Sequence, residues 1–164
     1  MYANRLFVHH AEPGDVEAIL AMARELATAV DDPPPMLDRA NFLRDGFGAD
    51  RWFECFIAKH DGEPVGYALA CRSFEAHTGQ RRLWLGDLYV RPEARQIGAG
   101  RALMRAIARY AIALDCAAVY WELWRQNSAS RVFYRKLLAE EADDLAVFRL
   151  GADRLSGLAL DAET

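Results

Sequence analysis

Arg95-Gln96-Ile97-Gly98-Ala99-Gly100-Arg101 joins an apolar run, Leu83 to Val90, to an apolar-periodic one beginning at Leu103. The two glycines lack a Cβ and let an anion approach the main chain, while Arg95 and Arg101 add charge. A helix that starts here also contributes unpaired N–H groups and the positive end of its dipole. Types and spacing together point to capture of a pyrophosphate. A Walker-type loop needs Lys-Ser or Lys-Thr after its last glycine, where this chain has Arg101-Ala102. A dinucleotide fingerprint needs a third glycine and an acidic residue about twenty positions on, and neither is found.

A strand must deliver this loop and a helix must leave it. Leu83 to Val90 closes a strand predicted over Arg81 to Val90, stopped by Pro92. Leu103, Ile107, Tyr110, Ala111 and Leu114 keep helical spacing as far as Asp115, and Ala118 to Leu123 returns as a strand, completing a β-α-β crossover. Upstream, Leu6 to His9 reads as a short strand, and Pro13 with Asp15 introduces a helix with Val16, Ile19, Leu20, Ala23, Leu26, Ala27 and Val30 on one face. Asp31-Asp32-Pro33-Pro34-Pro35 breaks it. Asp38 caps a second helix through Arg44, closed by Asp45-Gly46-Phe47-Gly48, and Trp52 to Lys59 and Pro64 to Phe74 are strands. Downstream, Ala129, Val132, Phe133, Lys136 and Leu137 define a last helix started by Asn127 or Ser128, and Leu145 to Leu150 a closing strand. The expectation is an α/β fold in one domain over residues 1–164, with its core at about 5–150: a mixed sheet, antiparallel first and parallel through the loop, with helices on both faces.

Composition narrows the function. A net charge of −4 in 164 residues argues against a nucleic-acid surface and leaves room for a small basic patch toward a phosphorylated cofactor. No apolar run reaches membrane-span length and Met1 to Arg5 does not open a signal peptide, so a cytoplasmic location is expected. Cys55, Cys71 and Cys116 are odd in number and lack ligand spacing, which predicts buried reduced thiols. His77 and the His9-His10 pair offer no ligand set either, and no metal is expected.

The Arg/Gln-x-x-Gly-x-Gly pattern after Leu88-Tyr89-Val90-x-Pro-Glu resembles motif A of the GNAT superfamily of N-acetyltransferases. Asp45-Gly46-Phe47-Gly48, and Asn127 followed seven positions later by Tyr134, resemble the spermidine/spermine branch with its thialysine-acetylating relatives. The resemblance covers nearly the whole chain. It implies acetyl-CoA as donor, a homodimer, and direct transfer of acetyl to an amine without a covalent enzyme intermediate. By position, Leu88, Tyr89 and Val90 meet the acetyl and pantetheine portion through their main chain. Arg95, Gln96, Gly98, Ala99, Gly100 and Arg101 surround the pyrophosphate, and Asn127 and Ser130 touch the pantetheine arm.

Such a transfer needs a neutral amine, a stabilised oxyanion and an acid for the departing thiolate. Tyr134 is the expected acid, since a phenol with pKa near ~10 faces a thiol near ~8.5. Asn127, Ser130 and Tyr134 at i, i+3 and i+7 share a helix face. A main-chain N–H near Val90, freed by a strand bulge, is expected to polarise the thioester carbonyl. The base is less clear from the residues. Polyamine acetyltransferases carry a glutamate where this chain has Gly86, and an acid at the end of the first helix where it has Val30. Asp87 falls on the other strand face unless a bulge resets the parity; Glu122, between Trp121 and Trp124 on the returning strand, and a water chain are the other candidates. Trp84, Trp121 and Trp124 can wall a single ammonium. The reading is an acetyltransferase for a small primary amine, with a protein or peptide acetyltransferase and a non-catalytic acyl-CoA sensor as alternatives.

Overall fold

The computed structural model describes residues 5–142 and 146–160. The chain forms two compact units, one reaching Glu122 and the other starting at Leu123. The first contains β1 (Leu6–His10), α1 (Val16–Ala29), α2 (Arg39–Phe47), β2 (Glu54–His60), β3 (Glu63–Glu75), β4 (Gln80–Val90), α3 (Ala99–Ala113) and β5 (Cys116–Tyr120). Its five strands lie side by side in chain order. β1 to β4 are antiparallel and β5 runs parallel to β4, as the crossover through α3 requires.

Strand alternation divides the apolar residues between two faces. Phe56, Ala58, Leu83 and Leu85 pack with Leu103 and Ile107 of α3. Ile57, Tyr67 and Tyr89 pack on the other side with Ile19 and Met22 of α1 and Phe42 of α2. This is the mixed sheet with helices on both faces that the sequence predicts. The 3-10 turn Pro13–Asp15 that leads into α1 carries a reciprocal cap in which Asp15 accepts from the Glu12 N–H at 3.0 Å, and Lys59 anchors the same carboxylate at 2.6 Å. Asp38 caps α2 as expected, its Oδ1 accepting from the Asn41 N–H at 2.8 Å. α2 continues past Arg44 to Phe47, however. Gly46 is a packing residue here, because a Cβ would lie 2.7 Å from the Phe53 ring.

The β3–β4 ladder has one irregularity. Leu69 pairs with Asp87 and Ala70 with Leu85, so Gly86 is an extra residue in β4. Parity changes there. Leu83 and Leu85 face α3, as do Leu88 and Val90, whereas Tyr89 packs on the α1 and α2 side, with Asp87 bonded to Tyr67 on that same side.

In the second unit, α4 (Ser128–Arg135) is capped by Asn127, whose side chain accepts from the Ser130 N–H at 3.0 Å. α5 (Ala152–Leu160) follows. The predicted closing strand is not formed over residues 146–150, and its first residue, Leu145, lies outside the described residues. Consecutive Val147 and Phe148 are both exposed, Phe148 at 93%, so the segment lacks the buried alternate face that makes a strand. β5 also departs from expectation. It starts at Cys116, directly after the left-handed Asp115 (φ 56°), and ends at Tyr120 rather than Leu123.

Candidate active site

β4 is paired on one side along its length and on the other only at its start. β5 covers Arg81 to Trp84, the last pair being Trp84 with Tyr120, and no described strand flanks Leu85 to Val90 on that side. The Arg91 N–H donates to the Val65 carbonyl at 2.9 Å while Gly66 lies opposite Val90. Val90 is therefore in a wide pair, and its own N–H and C=O point away from β3 toward the open edge; Leu88, two residues back, points the same way. The Val90 carbonyl is taken by Arg95, whose Nε donates at 3.1 Å. Its N–H has no backbone partner in β3 or β5 among the described residues. The Gly86 bulge sets the register that puts Val90 opposite Gly66 rather than Val65, and the end of strand cover after Trp84 leaves its outer side open.

The glycine loop follows without a gap. Pro92 to Ala94 make one 3-10 turn, and Gly98 caps α3 at φ 87°, a conformation that costs other residues. The Ala102 N–H makes the first α3 bond, to the Gly98 carbonyl at 3.0 Å, so the N–H groups of Ala99, Gly100 and Arg101 precede the helical ladder. Arg95, Gln96 and Arg101 are exposed around them, and a Cβ on Gly98 would meet open space. An exposed, glycine-capped helix start with two arginines can hold a pyrophosphate.

On the α1 and α2 face, Asp87 Oδ2 accepts from the buried Tyr67 hydroxyl at 2.9 Å. Burial raises the Asp87 carboxyl above the usual aspartate value, against the lowering effect of that bond. The same burial pushes the Tyr67 phenol up, aided by the charge of Asp87. The Gly86 bulge thus supplies the parity change on which Asp87's role depended. Trp84 stands on this face, paired with Cys71 across the ladder. Glu122 does not join the group: it lies beyond the end of β5 and is exposed. All three cysteines are free thiols, Cys55 buried and Cys71 and Cys116 half-buried, and burial raises the Cys55 and Cys71 thiols.

In the second unit Asn127 is the cap of α4 rather than a member of its face, with its side-chain oxygen already committed to the Ser130 N–H. Ser130 and Tyr134 lie within α4 and are half-buried. Burial pushes the Tyr134 phenol up to about 12.

Sequence reasoning missed a further group beside the loop. Glu25 of α1 accepts from Arg91 twice, Nη2 to Oε1 at 2.8 Å and Nε to Oε2 at 3.1 Å, and from the Tyr89 hydroxyl at 3.1 Å. Arg91 Nη1 also donates to the Pro64 carbonyl at 3.0 Å. Nothing in the spacing of Glu25, 66 residues from Arg91, signals the contact.

The Acetyltransferase (GNAT) family profile matches residues 17–139. The chain belongs to the GNAT acetyltransferase family. It is 30% identical over 167 aligned positions to thialysine N-epsilon-acetyltransferase of Sus scrofa, covering 94% of this chain and 97% of that one. It is 31% identical over 135 positions, 77% of its length, to the human spermidine/spermine N(1)-acetyltransferase-like protein 1, of which it spans only 19%. In fold it is similar to an integron cassette protein from V. cholerae, with a TM-score of 0.78 at 21% identity, covering 94% and 98% of the two chains. As a GNAT acetyltransferase it is acetyl-CoA-dependent. The open edge of β4 and the helix start behind it are the two features of this GNAT chain suited to an elongated, amide-bearing molecule that ends in a pyrophosphate.

Proposed function

We propose that this enzyme moves acetyl from acetyl-CoA directly onto the primary amine of a small molecule, amino-acid-like, thialysine-like, or a mono- or diamine. The observation behind this reading is the outward Val90 N–H on the uncovered edge of β4, one short loop away from the Gly98 helix start. Thialysine acetyltransferases that align along almost the whole chain support the acceptor class. Leu88 and Val90 offer main-chain groups to the pantetheine arm, whereas Tyr89, expected to do the same, pairs with Tyr67 and turns its main chain toward β3; Arg95, Gln96, Gly98, Ala99, Gly100 and Arg101 offer the pyrophosphate cradle. Asn127 and Ser130 are the candidate contacts of α4 with the arm.

The amine nitrogen attacks the thioester carbon, and the oxyanion that forms accepts from the Val90 N–H. Asp87 is the base we favour. Tyr67 occupies only its Oδ2, and a carboxyl raised by burial takes a proton from the ammonium, directly or through water, more readily than an ordinary aspartate. Collapse breaks the C–S bond, and the Tyr134 hydroxyl donates to the leaving sulfur. A phenol at about 12 keeps its proton until charge has built on that sulfur, so its first contribution is a hydrogen bond. Trp84 is the candidate wall for the acceptor. The family resemblance further supports a homodimer.

A screen of amines with detection of released CoA thiol tests the reading. Turnover of lysine-like, thialysine-like or simple amines is expected. CoA release with peptide N-termini alone, or with no amine at all, rejects it.

A further inference from the structure

Val90 is the last residue of β4, and the last rung of a ladder is where a strand frays. The group proposed to meet the thioester is thus the one that the sheet holds least well. Pro92 follows two residues later and starts the loop, so any looseness at Arg91 is passed to both halves of the donor site. The side chain of Arg91 is fixed from two elements. A carboxylate from α1 holds two of its nitrogens and the β3 carbonyl of Pro64 holds the third. Its main-chain N–H is bonded to Val65 as well. The same carboxylate holds Tyr89, whose ring is buried beneath the strand on the opposite side from Val90's core contacts. Three consecutive residues, Tyr89, Val90 and Arg91, are pinned from α1, α3 and β3, and Glu25 is common to two of these restraints.

We infer that Glu25 is a positioning residue for acetyl-CoA: it sets the end of β4 so that the Val90 N–H and the Gly98 loop meet the donor in register. The pairing also neutralises Arg91, whereas Arg95, bonded only to the Val90 carbonyl, and Arg101 keep unpaired charge beside the Gly98 loop among the described residues. Placement errors of a fraction of an ångström are costly for such a site. This inference rests on the reading of the β4 edge and Gly98 loop as the acetyl-CoA site.

The test compares wild type, Glu25→Gln, Arg91→Lys and, as a control on the same helix, Glu17→Gln. Acetyl-CoA binding is measured by calorimetry and initial rates against an amine from the screen. Gln keeps the side-chain shape but loses the charge and one acceptor; Lys keeps the charge but loses the fork. Either variant is expected to raise both Kd and KM for acetyl-CoA about tenfold and, because the Val90 N–H also meets the oxyanion, to lower kcat at saturating donor about tenfold, with acceptor KM unmoved. The double variant Glu25→Gln/Arg91→Lys, added to the set, is expected to be no worse than the worse single one, and Glu17→Gln to bind acetyl-CoA like wild type. If the melting temperature falls while donor Kd and KM stay at wild-type values, the pair is scaffold only and the inference is wrong. Should Glu25→Gln fail to fold, Arg91→Lys decides by the same criteria. If wild type gives no binding heat, or Gly98→Glu binds acetyl-CoA like wild type, the donor-site reading itself fails, and the inference falls with it.

Discussion

Asp87 and Tyr134 are both displaced from their ordinary acidity by burial, with opposite consequences for catalysis. For Asp87, the raised carboxyl value means that folding favours the protonated form. Its stabilising contribution is therefore full below the ordinary aspartate value of 3.8 and is lost as pH climbs through the raised one. At neutral pH the ionised carboxylate is a cost. Asp87→Asn should then melt at the same or a higher temperature than wild type at pH 7, the advantage vanishing toward pH 4, while turnover falls at least about tenfold. Melts across that range and initial rates check both halves; unchanged turnover removes Asp87 from the mechanism. Tyr134, held at about 12, stays protonated across the working range. Tyr134→Phe is expected to lower kcat at least about tenfold with little change in acetyl-CoA affinity. A lower melting temperature with unaltered kcat would mean that the ring packs and the hydroxyl is idle. The sequence named both residues, but it could not supply these acidities, because burial is a property of the fold.

The loop and the bulge act as elements. Gly98 takes a left-handed conformation at the mouth of α3, so Gly98→Glu adds backbone strain and a negative charge where a pyrophosphate is expected. Wild type should gain melting temperature with saturating acetyl-CoA and Gly98→Glu should not, which differential scanning fluorimetry reads directly. No shift in wild type would end the cofactor-site assignment. The loop was legible because its glycines, arginines and flanking apolar periods are local signals. The bulge was legible only as a condition: Gly86 sits in a run of alternating residues, and whether it is counted in or out of the ladder depends on Leu69 and Ala70 across the sheet. The closing strand over Leu145 to Leu150 and the extent of β5 were misjudged for a related reason. Apolar runs such as Val119 to Leu123 or Ala146 to Phe148 show that a segment can be buried, not that a partner strand is available. The clamp at Glu25 left no trace in spacing because α1 and β4 meet only in the folded sheet.

At the scale of the molecule, net charge and the lost carboxylates bear on the acceptor. The chain carries a charge of −4. Overall negative charge draws any cation, but it does not sort one amine from another; that falls to carboxylates in reach of the acceptor. By the family resemblance, Gly86 and Val30 stand where polyamine-binding acetyltransferases are expected to present such groups, and each unmatched ammonium held in a cleft forfeits hydration. Small amines with at most one additional positive charge should therefore show a higher kcat/KM than spermidine or spermine. A reversed ranking in steady-state assays would mean that other acids, Asp31 and Asp32 at the end of α1 among them, restore polycation recognition.

The parting of β4 from β5 after Trp84 has a consequence beyond the binding of one ligand. Half a strand left without a neighbour is a template, and any extended chain with free amides satisfies it as well as a pantetheine arm does. On the proposed reading the donor is also a guard: lying along the edge, it closes the row of main-chain groups to other strands. On that reading each departure of the donor reopens an edge of the kind that most sheet proteins keep short, charged or covered.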